Sequence, residues 1–138
     1  MEHGPIKLGM IILMQTDLKK AVEFYKKLGM VQKFYLEDKW AEFDLGCIKL
    51  GLCPTEHAQD NIRTGIVFEI FQDLIAWHKE LKEQGVDFVN EPVVAAHGVM
   101  VGVKDPGGNV FDLYQPTPEK LKEFIDKQKE QEANASKN

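Results

Sequence analysis

The chain carries the same pattern twice. From Asp17 it reads DLKKAVEFYKKLGM and from Asp73 it reads DLIAWHKELKEQGVD, two stretches 56 residues apart. In each, an Asp precedes an amphipathic run and a Gly follows it twelve residues later, at Gly29 and Gly85. Leu18, Ala21, Val22, Tyr25 and Leu28 fall on one helical face of the first run; Leu74, Trp77, His78 and Leu81 do so in the second. An Asp side chain accepts from the orphan amides of a helix start, and Gly takes the left-handed conformation that ends a helix. Both runs therefore predict capped helices of the same length.

The flanks repeat as well. KLGMIILMQ leads into Asp17 and TGIVFEIFQ into Asp73, both short, apolar and rich in strand formers. After Gly29 the pattern predicts strands near 31–36, 39–45 and 47–52; after Gly85 it predicts strands near 87–89, 98–104 and 109–115. The expected organisation is a single domain over 1–138. It holds a first βαβββ module at about 6–54, a polar linker at 55–63 and a second module at about 64–116. Thr117 and Pro118 open a C-terminal helix at about 117–130, with Leu121, Phe124 and Ile125 as a docking stripe and fraying beyond. A half of roughly 55 residues buries too little surface to be secure alone, so two halves or two chains must pair.

Composition narrows the function classes. With 138 residues, 43% hydrophobic content and net charge −5, the chain suits a soluble domain. It lacks the positive charge with which nucleic-acid binders neutralise phosphates. No apolar run approaches the roughly 18 residues of a membrane span, and MEHGPIKLG lacks the features of a secretion signal. Cys47 and Cys53 match no zinc or redox spacing, so they are expected as free thiols and the location as cytoplasmic.

Taken in order, MIILMQTDLKKAVEFYKKLGM, WAEFDLGCIKLGL, GIVFEIFQDL and KDPGGNVFDLYQP resemble the vicinal oxygen chelate superfamily of glyoxalases, extradiol dioxygenases, fosfomycin-resistance enzymes and bleomycin-binding proteins. The likeness covers about residues 6–116. It implies an α+β fold of two tandem βαβββ modules forming an open, barrel-like cleft, commonly completed in a homodimer. It also implies a divalent metal in that cleft, held by His, Gln or Glu on the first and last strand of each module. Those positions fall on Met10, Gly51 (Lys49 if slipped by two), Ile66 (Gly65 if off by one) and Asp112.

The side chains there argue against the usual metal. A thioether is soft, Ile and Gly offer no donor, an ammonium repels cations, and one carboxylate does not make a site. The resulting expectation is a protein without a metal or other cofactor that binds a small, partly apolar organic molecule. Met10, Ile12, Trp40, Lys49, Ile66, His97, Met100 and Asp112 line its cleft, and no catalytic residue is assigned. Trp40 serves either as an aromatic wall, as in bleomycin-binding relatives, or as packing at the dimer seam. Met10, Ile12 and Met14 alternate as core or as an adaptable pocket surface, with Met100 joining them. Lys49 and Asp112 pair with each other or grip a ligand. His97 is an exposed loop residue or a pocket rim, His78 a packing residue, and His57 and His3 are spectators. The alternative is a metal-dependent lyase, isomerase or dioxygenase with a displaced site of Asp112, His97 and Glu42 or Glu69.

Overall fold

The computed structural model describes residues 4, 5 and 7–136; His3 lies outside them. Two sheets each carry one helix of the repeat. The first module contains β1 (Met10–Gln15), α1 (Leu18–Lys27), β2 (Val31–Leu36), β3 (Trp40–Asp44) and β4 (Lys49–Pro54). The second contains β5 (Ile62–Glu69), α2 (Leu74–Glu83), β6 (Asp87–Phe88), β7 (Val93–Ala95), β8 (Gly98–Lys104) and β9 (Asn109–Pro116), with α3 (Pro118–Ser136) following. This is the α+β pair of βαβββ modules that the repeat predicts. The short β7, which the periodicity does not signal, pairs with β8.

The helix boundaries follow from the capping chemistry. The Asp17 carboxylate accepts from the Lys20 amide, and Asp73 accepts from the amides of Ile75 and Ala76. The Gln115 side chain adds a further cap, accepting from Leu74 N at 2.9 Å. Gly29 and Gly85 take φ of +86° and +89°, which a side chain at either position would resist.

By contact density the chain divides into two compact units. One holds the chain to Thr64 together with Lys104–Val110; the other holds Gly65–Val103 and Phe111 onward. In the first, the sheet order is β1-β4-β3-β2, with β1 parallel to β4 and the other pairs antiparallel. Alternation gives the sheet two faces. Leu13, Gln15, Ala41, Phe43, Leu50 and Leu52 are buried on one, as are Leu18, Ala21, Val22 and Tyr25 of α1. The Tyr25 ring lies edge-on to Phe24 at 5.0 Å and tilted to Phe43 at 6.0 Å. Each large apolar side chain buried this way contributes about 1.5–3 kcal/mol.

A buried polar knot completes this unit. The Asp105 carboxylate accepts from Gln15 Nε2 at 2.6 Å and Tyr25 Oη at 2.7 Å. It also accepts from the amides of Gly107 and Asn109, both at 2.9 Å, and from Asn109 Nδ2. Asn109 Nδ2 donates onward to the Met14 carbonyl at 3.0 Å. The end of β1, helix α1 and the β8–β9 turn thus converge on one carboxylate.

In the second unit Leu74, Leu81, Val86, Val99, Val101, Val103, Phe111 and Leu113 form the core. Phe68 meets Phe111 edge-on at 5.1 Å. His78 packs its ring on Phe88 at 4.4 Å and is buried, as expected of a packing residue. Helix α3 begins at Pro118 as expected but continues to Ser136, beyond the expected end near 130. Its distal turns are rich in Glu, Lys, Gln and Ala, which favour helix even without packing. The docking stripe is only partly realised: Leu121 is half-buried, while Phe124 and Ile125 are exposed.

Candidate functional site

The second face of the first sheet carries four of the expected residues, Met10, Ile12, Trp40 and Lys49. In register, Met10 stands opposite Lys49 and Ile12 opposite Gly51. Gly51 stands opposite Glu42, Glu42 opposite Phe34, and Trp40 opposite Leu36. Cross-strand partners share a face. Met10, Ile12, Trp40, Glu42, Lys49 and Gly51 are therefore one continuous surface, with Phe34 and Leu36 at its β2 edge. Ile12, Phe34 and Leu36 are each about half exposed, at 52%, 47% and 47%. This is an unusually apolar solvent face for a sheet whose other side is already packed.

Gly51 is the pivot of that surface. A Cβ built there would lie 2.6 Å from Cζ2 and Cη2 of Trp40 and 3.1 Å from the Met10 sulfur. Trp40, reaching diagonally from β3, fills the volume that a side chain at position 51 would take. Its indole N–H donates to Glu42 Oε2 at 2.8 Å, and Lys49 Nζ lies 3.6 Å from Glu42 Oε1. The Glu42 carboxylate is thus engaged on both oxygens. The Lys49 contact adds little stability because its side chain is 61% exposed. The indole bond is charge-assisted and part-buried, so it holds the ring more firmly.

The remaining expected residues lie in the second unit. Asp112 is half-buried between the core residues Phe111 and Leu113, and its Oδ1 lies 3.6 Å from where a Cβ on Gly102 would stand. Gly102 N donates to Asn90 Oδ1 at 2.7 Å. Ile66 has the same strand parity as Phe68, which packs on Phe111, so it shares the face opposite Asp112. Gly65, just before Ile66, takes φ +74°. Met100 is half-buried and stands opposite Val93 of β7. His97 is exposed. The hydroxyl of Tyr114 donates to the His97 carbonyl at 2.9 Å and lies 3.0 Å from its Nδ1. Since that hydroxyl has one proton, the ring contact requires Nδ1–H as donor.

The positions implied to hold a metal do not fit one. In the first unit they are a thioether at Met10 and a Gly51 whose side-chain space is occupied by indole. In the second they are a core-facing Ile66 and a single carboxylate, Asp112. The displaced set fares no better: Glu42 is bound to Trp40 and Lys49, His97 is bound to Tyr114, and Glu69 is exposed. Among the described residues no three His, Cys, Asp or Glu side chains come together as a cation site.

Sequence reasoning passed over several participants. Phe34 and Leu36 read only as strand residues, Tyr114 and Asn90 carry no signal of their own, and Asp105 reads only as part of the Asp-Pro-Gly-Gly-Asn turn. The alternation of β2, shifted by an irregularity between Gln32 and Phe34, hides which of its residues share the Trp40 face. Asp105 did have a signal: Gln15 keeps phase with the core residue Leu13, and a buried amide needs a partner.

Residues 7–113 match the model of the glyoxalase/bleomycin resistance protein/dioxygenase superfamily. The chain belongs to that superfamily. Its vicinal oxygen chelate fold is shared with the fosfomycin resistance protein FosX of Listeria monocytogenes, at 21% identity and a TM-score of 0.68. That likeness covers 83% of this chain and 95% of FosX. A hypothetical protein of S. aureus, SA1046, superposes with a TM-score of 0.64 at 24% identity, covering 81% of this chain and 99% of its own. A lactoylglutathione lyase of Agrobacterium tumefaciens does so at 0.63 and 17% identity, covering 81% and 95%. At these identities the likeness establishes the fold alone. No functionally curated protein matches the chain. Among the described residues no helix is long and apolar enough to cross a membrane.

Proposed function

We propose that this superfamily member binds a small, partly apolar organic molecule without a metal ion. The ligand lies on the face formed by Met10, Ile12, Trp40 and Lys49. The supporting observation is that Trp40 fills the side-chain space at Gly51 and engages the Glu42 carboxylate. A position that carries a cation ligand in metal-dependent relatives is thereby an aromatic wall. The adjoining Met10 and Ile12 give an adaptable apolar floor, and Lys49 at the rim suits a polar or anionic substituent.

An apolar face of this extent is normally covered. A homodimer, in which a second copy lies over Ile12, Phe34 and Leu36, is part of the proposal. Sedimentation equilibrium of the wild type and of Phe34→Glu checks it: the wild type is expected as a dimer and the variant as a monomer. A monomeric wild type at tens of micromolar removes this part.

The binding proposal is tested by titrating Trp77→Phe protein, which retains Trp40 as its sole Trp, with a library of bleomycin-class and aromatic compounds in the presence of EDTA. Saturable quenching that survives EDTA and weakens at least tenfold in Trp40→Ala supports the reading. Absence of any binder, together with turnover that depends on added metal, rejects it and favours a metal-dependent enzyme.

A further inference from the structure

The linker between the modules lies over a cavity of about 390 Å³, lined by Ile12, Met14, Thr55, His57, Gln59, Ile62, Gly107 and Asn109. It is built within the first unit and shares Ile12 with the Trp40 surface, though Trp40 itself does not line it. Both ends of the linker are pinned. Thr55 N donates to the Gln15 carbonyl at 2.9 Å, and Ile62 N donates to the Gly108 carbonyl at 2.8 Å. Asp60 is held by Lys104 Nζ at 3.0 Å, which draws its carboxyl below the usual range. A Cβ on Gly108 would collide with the Gln59 carbonyl, so the absence of a side chain there is what lets the linker close on the turn.

We propose that this cavity is a second small-molecule site, selective for an uncharged ligand. Size and lining together define the class. At about 30 Å³ per non-hydrogen atom, the volume holds roughly a dozen such atoms. Ile12, Met14 and Ile62 form an apolar wall, while Thr55, His57 and Gln59 offer a hydroxyl, an imidazole and an amide. No Lys, Arg, Asp or Glu lines it, so a charged ligand would find no ammonium, guanidinium or carboxylate partner in the lining, whereas an uncharged one needs none. Among the described residues the His57 imidazole makes no hydrogen bond, which leaves its ring nitrogens available to a ligand hydroxyl or carbonyl. The fitting ligand is a compact aromatic or branched aliphatic alcohol or carbonyl compound.

The test is an NMR titration of full-length protein, following the His57 ring signals, with 1-naphthalenemethanol as probe and 1-naphthoate as its charged counterpart. The expected result is a saturable His57 shift with the alcohol and at least tenfold weaker binding of the carboxylate. Ile62→Trp, which fills the cavity, should abolish the shift while leaving ligand quenching of Trp40 intact. If that variant does not fold, Met14→Trp fills the cavity from the opposite wall. No His57 shift up to the solubility limit, equal affinity for the carboxylate, or binding that survives the cavity-filling variant overturns the proposal. Because His57 reports the cavity and Trp40 reports the sheet face, either site can fail without the other.

Discussion

Replacing Asp105 should unfold this protein more readily than almost any other single polar change. Five donor groups converge on its carboxylate: Gln15 Nε2, Tyr25 Oη, Gly107 N, Asn109 N and Asn109 Nδ2. Gln15 and Tyr25 are wholly buried, and Asn109 is nearly so. In Asp105→Ala four of these donors lose their acceptor, while Asn109 Nδ2 keeps the Met14 carbonyl. At about 1–1.5 kcal/mol for each of the four stranded donors, the gross loss is about 4–6 kcal/mol. Water entering the gap and relief from burying a charge offset part of that, leaving a net loss of about 3–5 kcal/mol. Against a typical domain stability of about 5–15 kcal/mol this is severe. At roughly 3 °C per kcal/mol for a chain of this size, Tm falls by about 10–15 °C. Tyr25→Phe removes one donor and leaves the carboxylate four others, so it should cost only about 1–2 kcal/mol. Urea denaturation followed by far-ultraviolet circular dichroism measures both. A loss below about 1 kcal/mol for Asp105→Ala, or equal losses for the two variants, would refute the view that this carboxylate is a shared hub.

Two further outcomes follow from the same geometry. Gly51→Ala places a methyl group against the Trp40 ring, which must swing away from Glu42. In the Trp77→Phe background its emission should shift to the red, at a stability cost of about 1–2 kcal/mol; unchanged emission would contradict the packing described. Burial and the neighbouring Asp105 carboxylate both raise the Tyr25 pKa well above its ordinary value. The neutral phenol is therefore favoured by folding. Its contribution is complete below the unfolded pKa of about 10 and is lost as pH rises toward the folded value. Melting curves between pH 8 and 11 should show a decline that is shallower in Tyr25→Phe.

Much of the architecture is legible in the residue order because it rests on local chemistry. Asp17, Asp73, Gly29 and Gly85 announce their helices through capping preferences that need no tertiary information. Strand parity likewise separates Leu13 and Gln15 from Ile12 and Met14. What escapes depends on distant registers. Trp40 and Gly51 meet only because the β3–β4 pairing puts Glu42 opposite Gly51 and leaves Trp40 diagonal to it. Asp105 reads as a turn former because Asp-Pro-Gly is a turn signal, and that local role conceals the buried one. The length of α3 was underestimated because an apolar stripe was required where helix propensity suffices.

The central claim is that indole, not a cation, fills the corner at Gly51. Calorimetric titration of tag-free, EDTA-stripped protein with Mn(II) and Zn(II) measures this most directly. With indole in that corner, no stoichiometric binding is expected at micromolar metal, and no change on Asp112→Ala. A one-to-one site of micromolar affinity that vanishes in Asp112→Ala would contradict it.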